Sequence, residues 1–286
     1  VESFSDYQKK IRKAFVVIDR EERKSIIMEK AQNLANAQGV ELKDDPSLLE
    51  EVCGLIEWPN PLMGKIQNEF MTVPPEVLVC AMRSHQKYFA LTSHDGELSP
   101  NFITISNMSS NNKRNKTTIN GNERVLSARL SDAKFFWDQD RAIKLSSRIP
   151  ELANVKFYEK LGTLGEKMVR VEALGVYLSK WVPDTDNTGL KRAAQLAKAD
   201  LTTSMVGEFP ELQGIMGSYY AHNDGESEEI CQAIKEHYSP QGPSDLCPTA
   251  PLSVVVSLAD KIDTLVGFFA INEKPTGSKD PFALRR

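Results

Sequence analysis

The sequence predicts an α+β domain over residues 1–150, followed by an all-helical domain over residues 151–286. Three observations carry that division. Strand-like and helix-like runs are interleaved in the first half, strand signals stop near residue 150, and beyond it the apolar residues recur at helical spacing. A chain of 286 residues is also long enough for two domains. The connection between them is expected near 141–155.

Taken in order, "KAFVVID" (13–19) reads as a short β-rich run. "EERKSIIMEKAQNLANAQ" (21–38) places Ile26, Ile27, Ala31 and Leu34 on one helical face, and Gly39 ends it. Ser47 is expected to cap a second helix through Leu48, Leu49, Val52, Leu55 and Ile56. Pro59 and Pro61 then impose an extended connection, and Pro74-Pro75 introduces a third helix, "EVLVCAMRS". "KYFALT" and "NFITIS" flank "SHDGELSP", where Asp95-Gly96 supplies a turn; this predicts a β-hairpin. Residues 106–122, "SNMSSNNKRNKTTINGN", are nearly empty of large apolar side chains and read as a surface loop or mobile segment. Asn122 is expected to cap a helix with Val125, Leu126, Leu130, Ala133 and Trp137 inward.

The second half reads as helices throughout. "EKMVRVEALGVYLSKW" (166–181) predicts Val169, Ala173, Val176 and Tyr177 inward; Thr188 caps the next segment and Pro210 opens another. Ser227 is a simple cap for "EEICQAIKEHY", because Ile230 stands where a capping box needs an acid or amide. "PLSVVVSLADKIDTLVGFFA" (251–270) is apolar enough to be a central helix. The closing "TGSKDPFALRR" lacks the glycine and hydroxyl of a phosphate loop. Asp280-Pro281 instead signals a helix start that the chain does not complete, as expected of a truncated sequence.

Hydrophobic residues make up 41% and charged residues 26%, with a formal net charge of −4. That balance argues against sequence-independent coating of nucleic acid, which shows as an excess of basic charge. No apolar run is long enough to span a bilayer: "LSVVVSLA" is soon followed by Asp260, Lys261 and Asp263. The N-terminus has neither a secretory pattern nor an initiating Met, which points to processing or a fragment. The four cysteines (Cys53, Cys80, Cys231 and Cys247) are widely spaced and read as reduced thiols in a cytoplasmic protein. Neither they nor the four histidines form a zinc-ligand pair, so no metal is expected.

Phosphate-loop, dinucleotide, nucleophile-elbow and zincin motifs do not occur in the sequence. One constellation bears weighing against known chemistry. Helical HD-type metal phosphohydrolases use a His on one helix, a His-Asp pair on another and an Asp on a long central helix. Here the matching positions are Tyr158, Ala199-Asp200 and Asp260. Two carboxylates without imidazoles are too few to hold a transition metal firmly. Asp200 and Asp260 are therefore expected to be buried carboxylates hydrogen-bonded between helices. A phosphohydrolase with atypical ligands is the alternative.

Four basic clusters are candidate phosphate contacts: Lys113, Arg114 and Lys116; Lys191 and Arg192; Lys274 and Lys279; Arg285 and Arg286. The first is favoured, since a polar loop can fold onto an RNA backbone.

Five stretches, taken in order, carry a resemblance: "AMRSHQKYFAL" (81–91), "ERVLSARLSDAKFFWDQD" (123–140), "KFYEKLGTLGEK" (156–167), "MVGEFPELQGIMGSYYA" (205–221) and "LADKIDTLVGFFAINEKPTGSKDPFALRR" (258–286). Together they closely resemble the β subunit of bacterial heterotetrameric glycyl-tRNA synthetase. The resemblance implies a part of an α₂β₂ ligase that joins glycine to tRNA(Gly) with ATP and Mg²⁺, its chemistry residing in a separate α subunit. It implies that this portion binds no cofactor, carries no catalytic residue and is inactive alone. Residues 1–150 would then be similar to the central domain of the phenylalanyl-tRNA synthetase β chain. Residues 151–286 would be a degenerate HD-type helical domain associated with the tRNA acceptor arm. The family's β chain is more than twice as long, so the sequence resembles a middle portion of it.

Overall fold

In the computed structural model, which describes residues 1–109, 111–242 and 245–285, the chain opens with helix α1 (Phe4–Lys13), where Ser3 Oγ accepts the Asp6 N–H. Helix α2 (Arg20–Asn36) is capped by the Asp19 carboxylate, and Gly39, at φ +67°, turns the chain into strand β1 (Glu41–Leu42). Helix α3 (Pro46–Leu55) starts earlier than the expected Ser47 cap. Asp45 accepts the Leu48 N–H at 2.9 Å, and Pro46 takes the first helical position, where its missing donor costs nothing. Strand β2 (Asn60–Lys65) follows, then helix α4 (Pro75–Ala81), which runs through a π-helical turn (Met82–Gln86) to Lys87 at φ +57°. Strands β3 (Phe89–Thr92) and β4 (Leu98–Ser106) form the expected hairpin, with Gly96 at φ +84° in its turn.

The sheet is antiparallel in the order β1-β3-β4-β2. Pro61 is tolerated because β2 lies at an edge. Ile27, Ala31 and Ala35 of α2, with Leu48, Val52 and Cys53 of α3, pack on Phe89, Leu91 and Ile103 of the sheet. These residues belong to the first of two compact units, Val1–Phe135; the second is Phe136–Arg286, so the division falls ahead of the 150/151 boundary read from the sequence.

Two readings of this unit are corrected. Residues 14–19 form no strand: the Val17 N–H donates to Glu57 O, while Arg23 takes the carbonyls of Val17 and Ile18 at 2.6 and 2.8 Å. Backbone groups engaged this way are unavailable for a ladder. The polar stretch 106–122 is largely helical, because helix α5 spans Asn112–Asp140. Asn111 Oδ1, and not Asn122, accepts the first N–H groups, from Lys113 and Arg114. Asn60 on β2 donates to Asn115 Oδ1, and Glu123 accepts the Lys65 N–H at 2.8 Å, so the sheet holds this helix by polar contacts. Leu126, Leu130, Ala133 and Trp137 are buried as expected, while Val125 is exposed.

The second unit continues from the end of α5 into 3-10 turns over Leu145–Asn154. Strand signals do not vanish there, for β5 (Lys156–Tyr158) and β6 (Gly162–Thr163) form a short antiparallel hairpin. Helices α6 (Leu164–Leu178), α7 (Asn187–Leu196), α8 (Ser204–Glu208), α9 (Ile215–Asn223), α10 (Glu228–Glu236) and α11 (Pro251–Ala270) follow. Asp186 caps α7 in place of the expected Thr188, and Ser227 caps α10 as read. Buried Asp140 accepts hydrogen bonds from Ser204 N–H, Met205 N–H, Arg148 and Tyr220 OH, tying the end of α5 to α8 and α9.

Helix α6 turns a different face inward from the one expected. Val169 and Tyr177 are exposed, while Leu164, Lys167, Met168, Val171 and Gly175 are buried. After α11 the chain folds back, so that Phe282 stacks on Phe268 at 4.2 Å and meets Tyr158 edge-on at 5.3 Å. Asp280 accepts the Leu284 and Arg285 N–H groups, yet Ala283 at φ +52° keeps the segment in turns and not the expected helix. Among the described residues, no helix is long and apolar enough to cross a membrane.

Gly64 faces Phe102 across β2 and β4, and an added Cβ would overlap that ring. Phe102 is fully buried and stacked on Tyr88 at 4.7 Å, so it has no room to yield. Gly64→Ala is expected to destabilise the first unit by about 1–3 kcal/mol, the usual cost of overpacking. Chemical denaturation checks this; an unchanged midpoint would show that the ring relaxes freely.

Candidate functional site

The second unit concentrates ionisable groups in its interior. A capping box between Thr163 and Glu166 sets the start of α6 and directs Lys167 inward. Its ammonium lies 3.2 Å from both Asp260 Oδ1 and Asp263 Oδ2, and donates to Thr264 Oγ1 at 2.7 Å. Lys198, just past α7, reaches Asp260 Oδ2 at 3.3 Å and sits 3.6 Å from the centroid of the Tyr238 ring. Arg170 on α6 grips Asp263 through two of its nitrogens. Two ammonium groups thus flank one carboxylate in a space with 2% and 4% of the two lysines exposed.

These surroundings set the protonation states. Burial opposes the charge on Asp260, but the ammonium groups of Lys198 and Lys167 hold its carboxyl well below the usual range. Burial also pushes Lys198 down to about 8, against the pull of Asp260. Asp200 is fully buried, and burial pushes it up to about 6 even though it accepts the N–H groups of Gly214 and Gly217 at 2.6 and 3.0 Å. Full burial, reinforced by the nearby Lys198 ammonium, pushes His237 down to about 3. Its Nδ1 bonds to Ile234 O at 2.6 Å, and Nε2 has no partner among the described residues.

Asp200 and Asp260 are each buried and held by groups of the protein, Asp200 by two backbone N–H groups and Asp260 by two ammonium groups. Ala199 is buried beside them. Tyr158 stands elsewhere, among Phe268, Phe282 and Glu273. Among the described residues, no three His, Cys, Asp or Glu side chains converge on a possible metal position. The four cysteines are free thiols, and Cys247 is exposed.

The roles of Lys167 and Lys198 escaped the sequence reading. An inward lysine on α6 was hidden by the competing stripe Val169-Ala173-Tyr177. The buried stripe is Leu164-Met168-Val171, which shares its face with Lys167. None of the predicted basic side chains contributes an ion pair to this network among the described residues. Lys113, Arg114 and Lys116 are exposed on the first turns of α5, which carry no acidic residue. Lys191 is exposed, whereas Arg192 is held by Glu226 through two donors. Lys274 lies 5.9 Å from the Phe269 ring centroid, Lys279 is exposed, and Arg285 pairs with Asp280. Arg286 lies outside the described residues.

Comparison with known proteins adds a family. A family model described as glycyl-tRNA synthetase beta subunit matches residues 1–286. A protein named glycine--tRNA ligase beta subunit from Rhodospirillum centenum is 54% identical over 289 residues, covering 100% of this chain and 40% of that protein. Proteins of the same name from Phenylobacterium zucineum and Paracoccus denitrificans are 50% and 49% identical, again over the whole chain and over 43% and 42% of their own lengths. The chain thus spans about two fifths of these relatives.

Asp260→Leu strands two buried ammonium groups and is expected to destabilise the protein by about 3–5 kcal/mol; adding Lys198→Met should restore part of that loss. Denaturation of the single and double variants measures the coupling, and strict additivity would remove the network. His237 gives a pH signature. Its pKa falls on folding to about 3. Stability is therefore lost as pH drops below the unfolded value near 6.5, by about 2 kcal/mol from pH 7 to pH 5. Asp200, raised to about 6, acts in the opposite sense over the same range. His237→Asn, which keeps a donor for Ile234 O, should remove the loss due to His237 when its stability is compared with wild type across that range. Parallel profiles would refute the assignment.

Proposed function

The chain belongs to the glycyl-tRNA synthetase beta subunit family, and on that premise we propose that it is the part of the subunit that grips tRNA(Gly) by its phosphates and supports assembly. Glycine, ATP and Mg²⁺ meet on a separate α subunit of an α₂β₂ complex in the cytoplasm, and this portion performs no aminoacylation alone. The first unit corresponds to a region similar to the central domain of the phenylalanyl-tRNA synthetase β chain. The second is an HD-type scaffold in which Lys198 and Lys167 provide the positive charge around Asp260. The acceptor arm is the part of the tRNA it holds.

One observation carries the reading. Lys113, Arg114 and Lys116 crowd the N-terminal turns of a 29-residue helix with no acid in its first turn. The partial positive charge of a helix N-terminus favours anions, so cations there act against helix stability. A phosphate placed at this end is attracted by the helix and by the side chains together. The lysines of the second unit's interior are already neutralised by carboxylates, whereas these three are exposed.

A salt titration of tRNA(Gly) binding tests this. Replacing Lys113, Arg114 and Lys116 with Ala should weaken binding at low salt and flatten the log–log salt slope by up to about 3 units, roughly 1 per lost phosphate contact. The loss should be uniform across tRNA sequences, since phosphate contacts position without specifying. An unchanged slope in the triple variant would take the α5 turns out of the binding surface.

A further inference from the structure

Helix α11 carries a second apolar face, turned to solvent. Leu258, Leu265, Val266 and Phe269 are 41–60% exposed, and Ile262 among them is half-buried. Leu258, Ile262, Leu265 and Phe269 recur at spacings of four, three and four residues, the a/d seam of helices that pack side by side. Over these three turns the stripe runs about 16 Å. A cavity flanks it on each side. One, of about 630 Å³, is lined by Leu161, Leu174, Ile262 and Val266 among others. The second, of about 540 Å³, is lined by Tyr238, Ile262, Leu265 and Phe282 among others. The stripe is thus a ridge between two grooves, a shape that receives a facing helix.

The charges of α11 decide what kind of surface suits it. Asp260 and Asp263 are held by Lys167, Lys198 and Arg170, and Lys261 donates to the carbonyls of His237, Tyr238 and Ser239. These are the helix's only charged residues, so it has no charge left to offer an RNA backbone or an ionic partner. A helix apolar on all sides is ordinarily buried, and the surface that completes this one is apolar too. Size then separates the occupants. A stripe on one helix is small beside the roughly 800 Å² per partner of a standard interface between free chains. A segment of the same polypeptide needs less, because its tether raises its effective concentration, to about mM for a short flexible linker. The relatives hold such polypeptide, since the region matched here is only 40–43% of their lengths. The chain also uses one groove for itself: Phe282 and Leu284 share its lining with Leu265. We infer that the outer face of α11 seats an amphipathic helix from the part of the beta subunit outside the matched region, its apolar residues three and four apart entering the two grooves. The inference goes beyond the tRNA reading and does not depend on it.

Thiol accessibility tests it. Leu265→Cys in this chain is expected to react with a maleimide within a few-fold of the rate of a free cysteine. Mass spectrometry of the labelled peptides separates it from the exposed Cys247. A cysteine at the matching position of the full-length Rhodospirillum centenum subunit, expressed without a partner, should react at least about tenfold more slowly, a closure favoured by about 1.4 kcal/mol. Leu258→Cys, at the other end of the stripe, gives the same comparison should the first variant fold poorly. Equal rates in the two proteins would overturn the proposal. So would protection that appears in the full-length subunit only when the α subunit is added, which would make the face an intersubunit one. Slow labelling of the 286-residue chain, with a dimer in sedimentation velocity, would overturn it in favour of a second copy.

Discussion

Asp260 can remain ionised inside the helical unit only because two ammonium groups close around it. That requirement fixes more than one side chain. Lys167 comes from α6, Lys198 from the end of α7, and Tyr238, which covers one side of Lys198, from beyond α10. Isolated, any of these charges would be costly to bury. Together they oblige four segments to meet in one arrangement, and Asp263 extends the same demand to Arg170. Hydrophobic packing among Leu152, Leu164, Met168, Val171, Ala194 and Ala259 surrounds the network. Such packing is non-directional, whereas the charges specify which faces meet.

Helix α6 shows why this matters for reading the sequence. Two apolar stripes run along it, one through Val169 and Tyr177 and one through Leu164, Met168 and Val171. Hydropathy alone favours neither, and it counts Lys167 against the stripe that is buried. The choice is made by Asp260 and Asp263, almost a hundred residues away, and spacing within α6 carries no record of them. The same logic explains the errors in the first unit. Arg23 reaches back to two carbonyls and converts a β-rich run into a tethered coil. Asn60, Lys65 and Asn111 supply polar contacts that make a helix of a stretch whose composition suggests a loop. Where the signal was local it sufficed. The Asp95-Gly96 turn needs a positive φ that glycine supplies, and α11 is long and mostly apolar around its few charges.

The candidate site was legible to a similar degree and for similar reasons. Asp200 and Asp260 stood out because they occupy the acidic positions of an HD-type pattern, and buried carboxylates demand partners. What the partners would be was not legible. A lysine is usually a surface residue, so nothing in the sequence marks Lys198, next to Ala199-Asp200, as buried. The structure reverses that: with both lysines inside, the interior carries its own counter-charge.

This self-sufficiency bears on where anionic partners can be held. An ammonium that already faces a carboxylate has little field left for a phosphate, so the buried lysines contribute little at the surface of the unit. Lys261 is likewise saturated by backbone carbonyls, Arg192 by Glu226 and Arg285 by Asp280. What remains is positive charge that the fold does not use. On α5 that charge occupies the end of a helix where it works against stability, with Asn111 as a neutral cap. A sequence under pressure only for stability would place acids in that turn. The cost is small, a fraction of a kcal/mol per residue at an exposed site, but it has one sign for all three side chains. Only negative charge brought to that turn offsets the conflict, since the helix supplies none there itself.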